Sequence, residues 1–199
     1  MRVILFGRKP VSCAALRHMV ASGAEVVAVS TPGKNAPDPY PERLVDVSES
    51  FGIPVLSDEE ISRALDEPGY CGVDLSEIDL LVCILHQNLI PRRILMHPRV
   101  GSVNFHPAPL PEYRGWGTYN MAILEDVKSW GVSAHFMDGS FDTGPLIGVR
   151  EFPIDARKET ALSLQLKCQP QLQHSRTSPI GQTLRRRGPE AGAGTSTEG

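Results

Sequence analysis

Five runs that are apolar almost from end to end punctuate the first half of the chain: RVILFG (2–7), AEVVAVST (24–31), IPVL (53–56), IDLLVCIL (78–85) and VGSVNF (100–105). A strand with one wet face alternates apolar and polar residues, so a run without alternation is covered on both faces. Between the runs lie segments with helical spacing: SCAALRHMVASG (12–23), RLVDVSESFG (43–52), and DEEISRAL (58–65), with Ser57 placed to cap it. This repetition predicts an α/β fold, a Rossmann-like open, mostly parallel twisted sheet with helices on both faces. A further helix is expected over 117–128, then strands at 130–138 and 145–154. The second of these partly alternates, as edge or antiparallel strands do. At 199 residues the chain has room for one domain of ordinary size.

Charge and cysteine usage narrow the function classes. A net charge of −3 excludes a generally basic nucleic-acid binder. No apolar run reaches the ~18 residues of a membrane span, and Met1-Arg2 leads straight into a strand without a leader pattern. Cys13, Cys71, Cys83 and Cys168 form no paired spacing and read as reduced thiols, so a cytoplasmic protein without a metal is expected. Composition shifts near Cys168. Residues 169–199 are poor in apolar side chains and rich in Gln, Ser, Thr, Pro, Gly and Arg, so the domain is expected to span 1–168 and the rest to be a low-complexity, disordered tail. Pro170 is expected to interrupt the helix that begins near Thr160.

The turn after the first run, GRKPVSCAAL, lacks the GxGxxG fingerprint, and the second run ends in Ser30-Thr31-Pro32 without an acidic residue, which argues against dinucleotide-dependent redox chemistry. The densest polar segment is instead SVNFHPAPLPEYRGWGTYN (102–120), where a buried strand ends in Asn104-Phe105-His106. Open α/β sheets bind ligands at that carboxyl edge. On a strand Asn104 and His106 share a face, about 6.6 Å apart, with room for a carbonyl between an amide donor and an imidazole. A second cluster, MDGSFDTGPLI (137–147), offers Asp138 and Asp142. A carboxylate that reached His106 would raise the imidazole's pKa and orient its ring. His135 shares the alternating set of Ser133 and Met137 and reads as a core histidine.

NFHPAPLPEYRG together with FDTGPLI resembles the folate-dependent formyltransferases, the family of the glycinamide ribonucleotide, methionyl-tRNA and sugar-amine enzymes. The shared pattern falls on Asn104, His106, Leu110, Pro111, Arg114, Gly115 and Asp142, and the resemblance runs from about residue 2 to 168. It implies a formyltransferase-like catalytic domain that moves a formyl group from 10-formyltetrahydrofolate to a primary amine through a tetrahedral intermediate. By that resemblance His106 is the general acid/base, Asn104 the oxyanion donor, and Asp142 the partner of His106. The folate would dock on Leu85, His86, Gln87, Asn88, Leu89 and Ile90, largely through their backbone, with Asp138 nearby and the His86 side chain at the surface. Arg114, Gly115, Trp116 and Tyr119 would line the acceptor side.

The chain departs from the family in two places. FGRKPVSC lacks the Gly/Ser-rich phosphate cradle of the purine-pathway enzymes, although Arg8 and Lys9 can meet an anion. No residues remain for the further domain of the methionyl-tRNA enzymes, which argues against tRNA and for a small-molecule amine. The same site suits a 10-formyltetrahydrofolate hydrolase, and the altered C-terminus, which a frameshift or truncation would also produce, suits a non-catalytic folate- or partner-binding relative. The oligomeric state is left open.

Overall fold

The computed structural model describes residues 1–31 and 40–173. The five apolar runs form β1 (Arg2–Gly7), β2 (Glu25–Ser30), β3 (Val55–Leu56), β4 (Leu80–Ile84) and β5 (Gly101–His106), paired in parallel. Two later strands, β6 (Ser129–Phe136) and β7 (Leu146–Pro153), pair antiparallel. All seven join one sheet in the order β3-β2-β1-β4-β5-β6-β7. The chain winds outward from β1 to β3 and then returns to place β4 on the other side of β1. That reversal opens a crevice at the carboxyl ends of β1 and β4.

Apolar runs without alternation feed two cores. Along β1, Val3 and Leu5 enter one core while Ile4 and Phe6 enter the other, and none is more than 1% exposed. Leu80, Val82 and Ile84 of β4 divide from Leu81 and Cys83 in the same way. The first core is closed by α1 (Pro10–Ala21), α2 (Leu44–Ser50), α5 (Thr118–Leu124) and α6 (Ala161–Gln173). The second is closed by α3 (Asp58–Ala64) and a short α4 (Arg92–Leu95) that the sequence pattern did not announce. α3 opens on the cap expected at Ser57, with Glu60 reciprocating to complete a capping box. α5 stops before the expected 128, because Asp126 turns left-handed (φ 48°) and directs the chain into β6.

The C-terminal boundary needs correction. α6 does not break at Pro170 but runs through Gln173, past the limit expected at 168. A proline inside a helix costs about 3 kcal/mol. Beyond the expected limit, Leu172 is fully buried in the first core beside Leu164 and Cys168. Burial of a leucine side chain contributes roughly 1.5–3 kcal/mol, enough to offset most of that cost. The rest of the expected tail, 174–199, and residues 32–39 of the Pro/Gly-rich loop lie outside the described residues. Among the described residues no helix is long and apolar enough to cross a membrane.

Candidate active site

A cleft of about 190 Å³ opens at the carboxyl edge beside the switch point, between the loop after β4, the end of β5 with the turn into α5, and the loop from β6 to β7. These are the three segments that the polar clusters of the sequence singled out.

Asn104 and His106 reach the cleft because β5 alternates. Val103 and Phe105 point into the first core, so their neighbours point away from it. Ser133, opposite His106 in the β5–β6 ladder, donates from Oγ to the Ala108 carbonyl (2.7 Å) and accepts from the Leu110 amide (2.9 Å). It thereby fixes the proline-rich segment that leads away from the histidine. Asp142 arrives from the other side. Gly144 allows this: a Cβ there would lie 1.8 Å from the Phe136 carbonyl oxygen, so only glycine lets the loop lie against β6. Asp138 closes the same loop by accepting from the Ser140 amide (3.0 Å) and the Thr143 hydroxyl (2.8 Å). Asp142 itself is held left-handed (φ 53°), a conformation aspartate tolerates better than most residues.

The Asp142 carboxylate is the hub. Oδ1 accepts from Asn104 Nδ2 at 3.1 Å and lies 3.2 Å from His135 Nε2. Oδ2 accepts from the Gly115 amide at 2.9 Å and lies 3.4 Å from His106 Nδ1. Gly115 can aim its amide there because it adopts φ 77°. His106 Nε2 donates to the Tyr113 carbonyl at 2.7 Å. A carbonyl can only accept, so the ring's hydrogen sits on Nε2 and its lone pair on Nδ1, facing Asp142.

Electrostatics follow from burial. Burial would raise the Asp142 carboxyl, but the His135 hydrogen bond, the His106 charge and the Gly115 amide outweigh it and hold the group below its usual range. For His106 the Asp142 carboxylate pushes the pKa up, as expected of an adjacent carboxylate, but the net shift is downward. Burial disfavours the imidazolium by more than Asp142 and the Tyr113 carbonyl favour it, so the value falls. A neutral imidazole with a free Nδ1 lone pair is a base at neutral pH.

His135 was read as a core histidine and is a member of this cluster. It is 1% exposed, its Nδ1 donates to the Phe136 carbonyl at 2.8 Å, and its Nε2 lies 3.1 Å from Asn104 Nδ2. The signal that would have found it is register. Asn104 and His135 are directly opposed across β5 and β6, a pairing that alternation alone does not specify.

The remaining candidates divide. Leu85, Gln87, Asn88, Leu89 and Ile90 line the cleft with His86, as do Gly115, Trp116 and Tyr119 on the opposite wall. Gln87 accepts a hydrogen bond from Arg8. Trp116 is 66% exposed at the mouth, whereas burial raises the Tyr119 phenol well above its ordinary value. Arg114 is exposed and is not part of the lining, and neither is Asp138, whose carboxylate shapes the loop. The His86 side chain, expected at the surface, is fully buried against Phe6, with Nε2 3.2 Å from Asp58. Among the described residues no three His, Cys, Asp or Glu side chains are grouped to hold a metal ion.

The carboxyl edge of this open α/β sheet thus gathers an amide, two imidazoles and a carboxylate around one cleft, a set of groups that can hold and exchange a proton. The chain belongs to the formyl transferase family, whose model matches residues 3–175. It is 30% identical over 188 residues to a methionyl-tRNA formyltransferase of Citrifermentans bemidjiense, covering 92% of this chain and 55% of the relative. A methionyl-tRNA formyltransferase of Lachnospira eligens is 33% identical over 170 residues, covering 82% of this chain and 52% of the relative. The chain thus spans about half the length of the curated relatives it matches. In fold it is similar to a phosphoribosylglycinamide formyltransferase from Bacillus halodurans, with a TM-score of 0.71 and 24% identity over 92% of this chain and 95% of that one. It is also similar in fold to a formyltetrahydrofolate deformylase from Pseudomonas syringae, with a TM-score of 0.67 and 20% identity over 85% of this chain and 56% of that one.

Proposed function

We propose that the chain transfers a formyl group from 10-formyltetrahydrofolate to a primary amine, using His106, Asn104 and Asp142. The observation that carries this reading is the single carboxylate of Asp142, which ties Asn104, His106 and His135 together in a cleft whose far wall is the irregular segment 85–90. That segment fits a flat heterocycle: Cys83, Leu85, Ile90 and Leu95 supply an apolar wall, and the backbone of a strand-free loop supplies polar groups.

In this reading each residue has a task. An attacking amine must lose a proton, and His106 Nδ1 holds the only lone pair of its ring. Once protonated, that nitrogen becomes a donor toward Asp142 Oδ2, whose negative charge favours the imidazolium, and the proton is then passed on to N10 of the donor as the C–N10 bond breaks and tetrahydrofolate leaves. Asn104 Nδ2 carries two hydrogens, one directed at Asp142 Oδ1. The second meets the lone pair of His135 Nε2, whose ring hydrogen is on Nδ1, and in this reading it turns from His135 to the oxyanion, a contact worth roughly 2.7–4 kcal/mol when aligned. Gly115, Trp116 and Tyr119 form the acceptor wall in this reading.

The acceptor is read as a small-molecule amine. The relatives named as methionyl-tRNA formyltransferases make the α-amine of an aminoacyl-tRNA the competing acceptor. The test is to incubate the purified chain with 10-formyltetrahydrofolate and, separately, methionyl-tRNA and a panel of amino sugars and aminated metabolites. Tetrahydrofolate release that depends on an amine is the expected result. Equal formate release without any amine would replace the transferase by a hydrolase, and absence of folate turnover with every acceptor would refute the enzyme reading.

A further inference from the structure

Asp58 stands outside the hub described above, yet its carboxylate gathers three segments that are far apart in sequence. Oδ1 accepts from the Ser30 hydroxyl at the end of β2 (2.6 Å). Oδ2 lies 3.2 Å from His86 Nε2 and accepts from Asn88 Nδ2 at 3.3 Å, both in the loop after β4. Asp58 is the first residue of α3, but the helix does not need its carboxylate, because the Ser57–Glu60 capping box already serves the first turn. The side chain instead turns toward the sheet edge, where it is only 11% exposed and the His86 ring is completely covered.

The loop it grips is also held by Arg8, which donates to Gln87, and by Ile90, which is buried in the second core. It begins with Leu85 in the left-handed region (φ 53°) and contains no helix or strand up to Pro91. At its start the buried anchor is the His86 ring, set edge-on against Phe6 at 5.2 Å. A hydrogen on Nε2 lets that ring donate to Asp58, which leaves a bare lone pair on its buried Nδ1 rather than an orphaned N–H. Burial works against ionisation of Asp58, but the bonds from His86, Ser30 and Asn88 prevail and keep the carboxyl below its usual range.

We propose that Asp58 is the positioning residue of the loop 85–90: its carboxylate locks His86 and Asn88 onto the ends of β2 and α3, and the lock sets the affinity for the folate donor. This rests on the reading of that loop as the donor site. Asp58 touches no reacting atom and lies outside the cleft lining, so it acts only through the loop.

The test compares Asp58→Ala, Asp58→Asn and Ser30→Ala with the unmodified chain. Binding of 5-formyltetrahydrofolate is measured by calorimetry, and KM and kcat in the formyl-transfer assay. Loss of a charge-assisted bond to a buried partner predicts about a tenfold rise in Kd and donor KM for Asp58→Ala. Its kcat should stay within about twofold and its acceptor KM should not change, because the reacting groups keep their places. Asp58→Asn can still accept from Ser30 and restores part of the affinity. Ser30→Ala, which removes one hydroxyl, weakens donor binding in the same direction by a smaller factor. Amide exchange across 86–90 should quicken in Asp58→Ala without any ligand.

Donor affinity unchanged in Asp58→Ala, or a fall in kcat with donor KM unchanged, overturns the proposal. If Asp58→Ala does not fold, wild-type donor affinity in both Asp58→Asn and Ser30→Ala overturns it equally. An unmodified chain that binds no folate overturns the donor-site reading and this inference together. Folate binding that is indifferent to Asp58 overturns this inference alone.

Discussion

Replacing Asp142 by Asn keeps the shape of the hub and removes its charge. The carboxylate faces donors on both oxygens: Asn104 Nδ2 at 3.1 Å on Oδ1 and the Gly115 amide at 2.9 Å on Oδ2. An amide can satisfy only one of these. Whichever way it is oriented, its own NH₂ meets a donor, and a buried donor without a partner costs about 1–3 kcal/mol. For a domain of this size each kcal/mol lowers Tm by about 2–4 °C. The effect on turnover is larger. At 3.4 Å from His106 Nδ1, a unit charge at an effective dielectric of ~20 stabilises the imidazolium by about 5 kcal/mol before relaxation.

Relaxation reduces that figure, so the expected loss in kcat is about 10²–10³-fold, or roughly 2.7–4 kcal/mol. The pH profile carries the sign. Burial already holds His106 below its ordinary value and Asp142 opposes that fall, so the acid limb of kcat/KM should move to lower pH in the variant. The assay is kcat/KM against pH for both proteins, with a thermal melt to show that the variant is folded. An acid limb that stays in place or moves upward, or a kcat within threefold of the unmodified chain, would refute the assignment of Asp142 as the counter-charge.

Gly144→Ala should lower both Tm and turnover, because its Cβ would lie 1.8 Å from the Phe136 oxygen and β6 or the loop must move; the cost is about 1–3 kcal/mol or more, and a Tm equal to that of the unmodified chain would contradict the close approach. Leu172→Ala should destabilise by about 2–5 kcal/mol, read from a denaturant melt, since the side chain is fully buried beyond Pro170. Thermal stability should fall in two stages with acid. The depressed His106 contributes stability that is full above the ordinary histidine value near ~6.5 and is lost as pH drops toward its folded value; Asp142 does the same below ~4. A Tm that rose as the pH fell from 7 to 5 would contradict the sign for His106, and one that rose below about pH 4 the sign for Asp142.

Much of this molecule is written in short-range pattern. Val3, Ile4, Leu5 and Phe6 are all apolar because β1 is covered on both faces, and all seven strands lie within two residues of the bounds read from such runs. Asn104 and His106 were legible for the same reason: a spacing of two puts both on the face opposite Val103 and Phe105. Periodicity is a property of neighbours along the chain, and backbone geometry fixes its meaning before anything else packs.

What escaped depends on groups distant in sequence. His135 joins Asn104 and Asp142 only because β5 and β6 pair in one register, which turn geometry and core packing select and no local pattern records. Pro170 stays inside α6 because Leu172 finds a buried place beside Leu164, a gain invisible in the sequence of the helix. The His86 side chain is covered where Asp58, 28 residues earlier at the start of α3, reaches it. The sign of the His106 shift is decided the same way. Pairing with Asp142 was inferable from the motifs, but the desolvation that outweighs it comes from the walls of the cleft, which exist only once the sheet has closed around it.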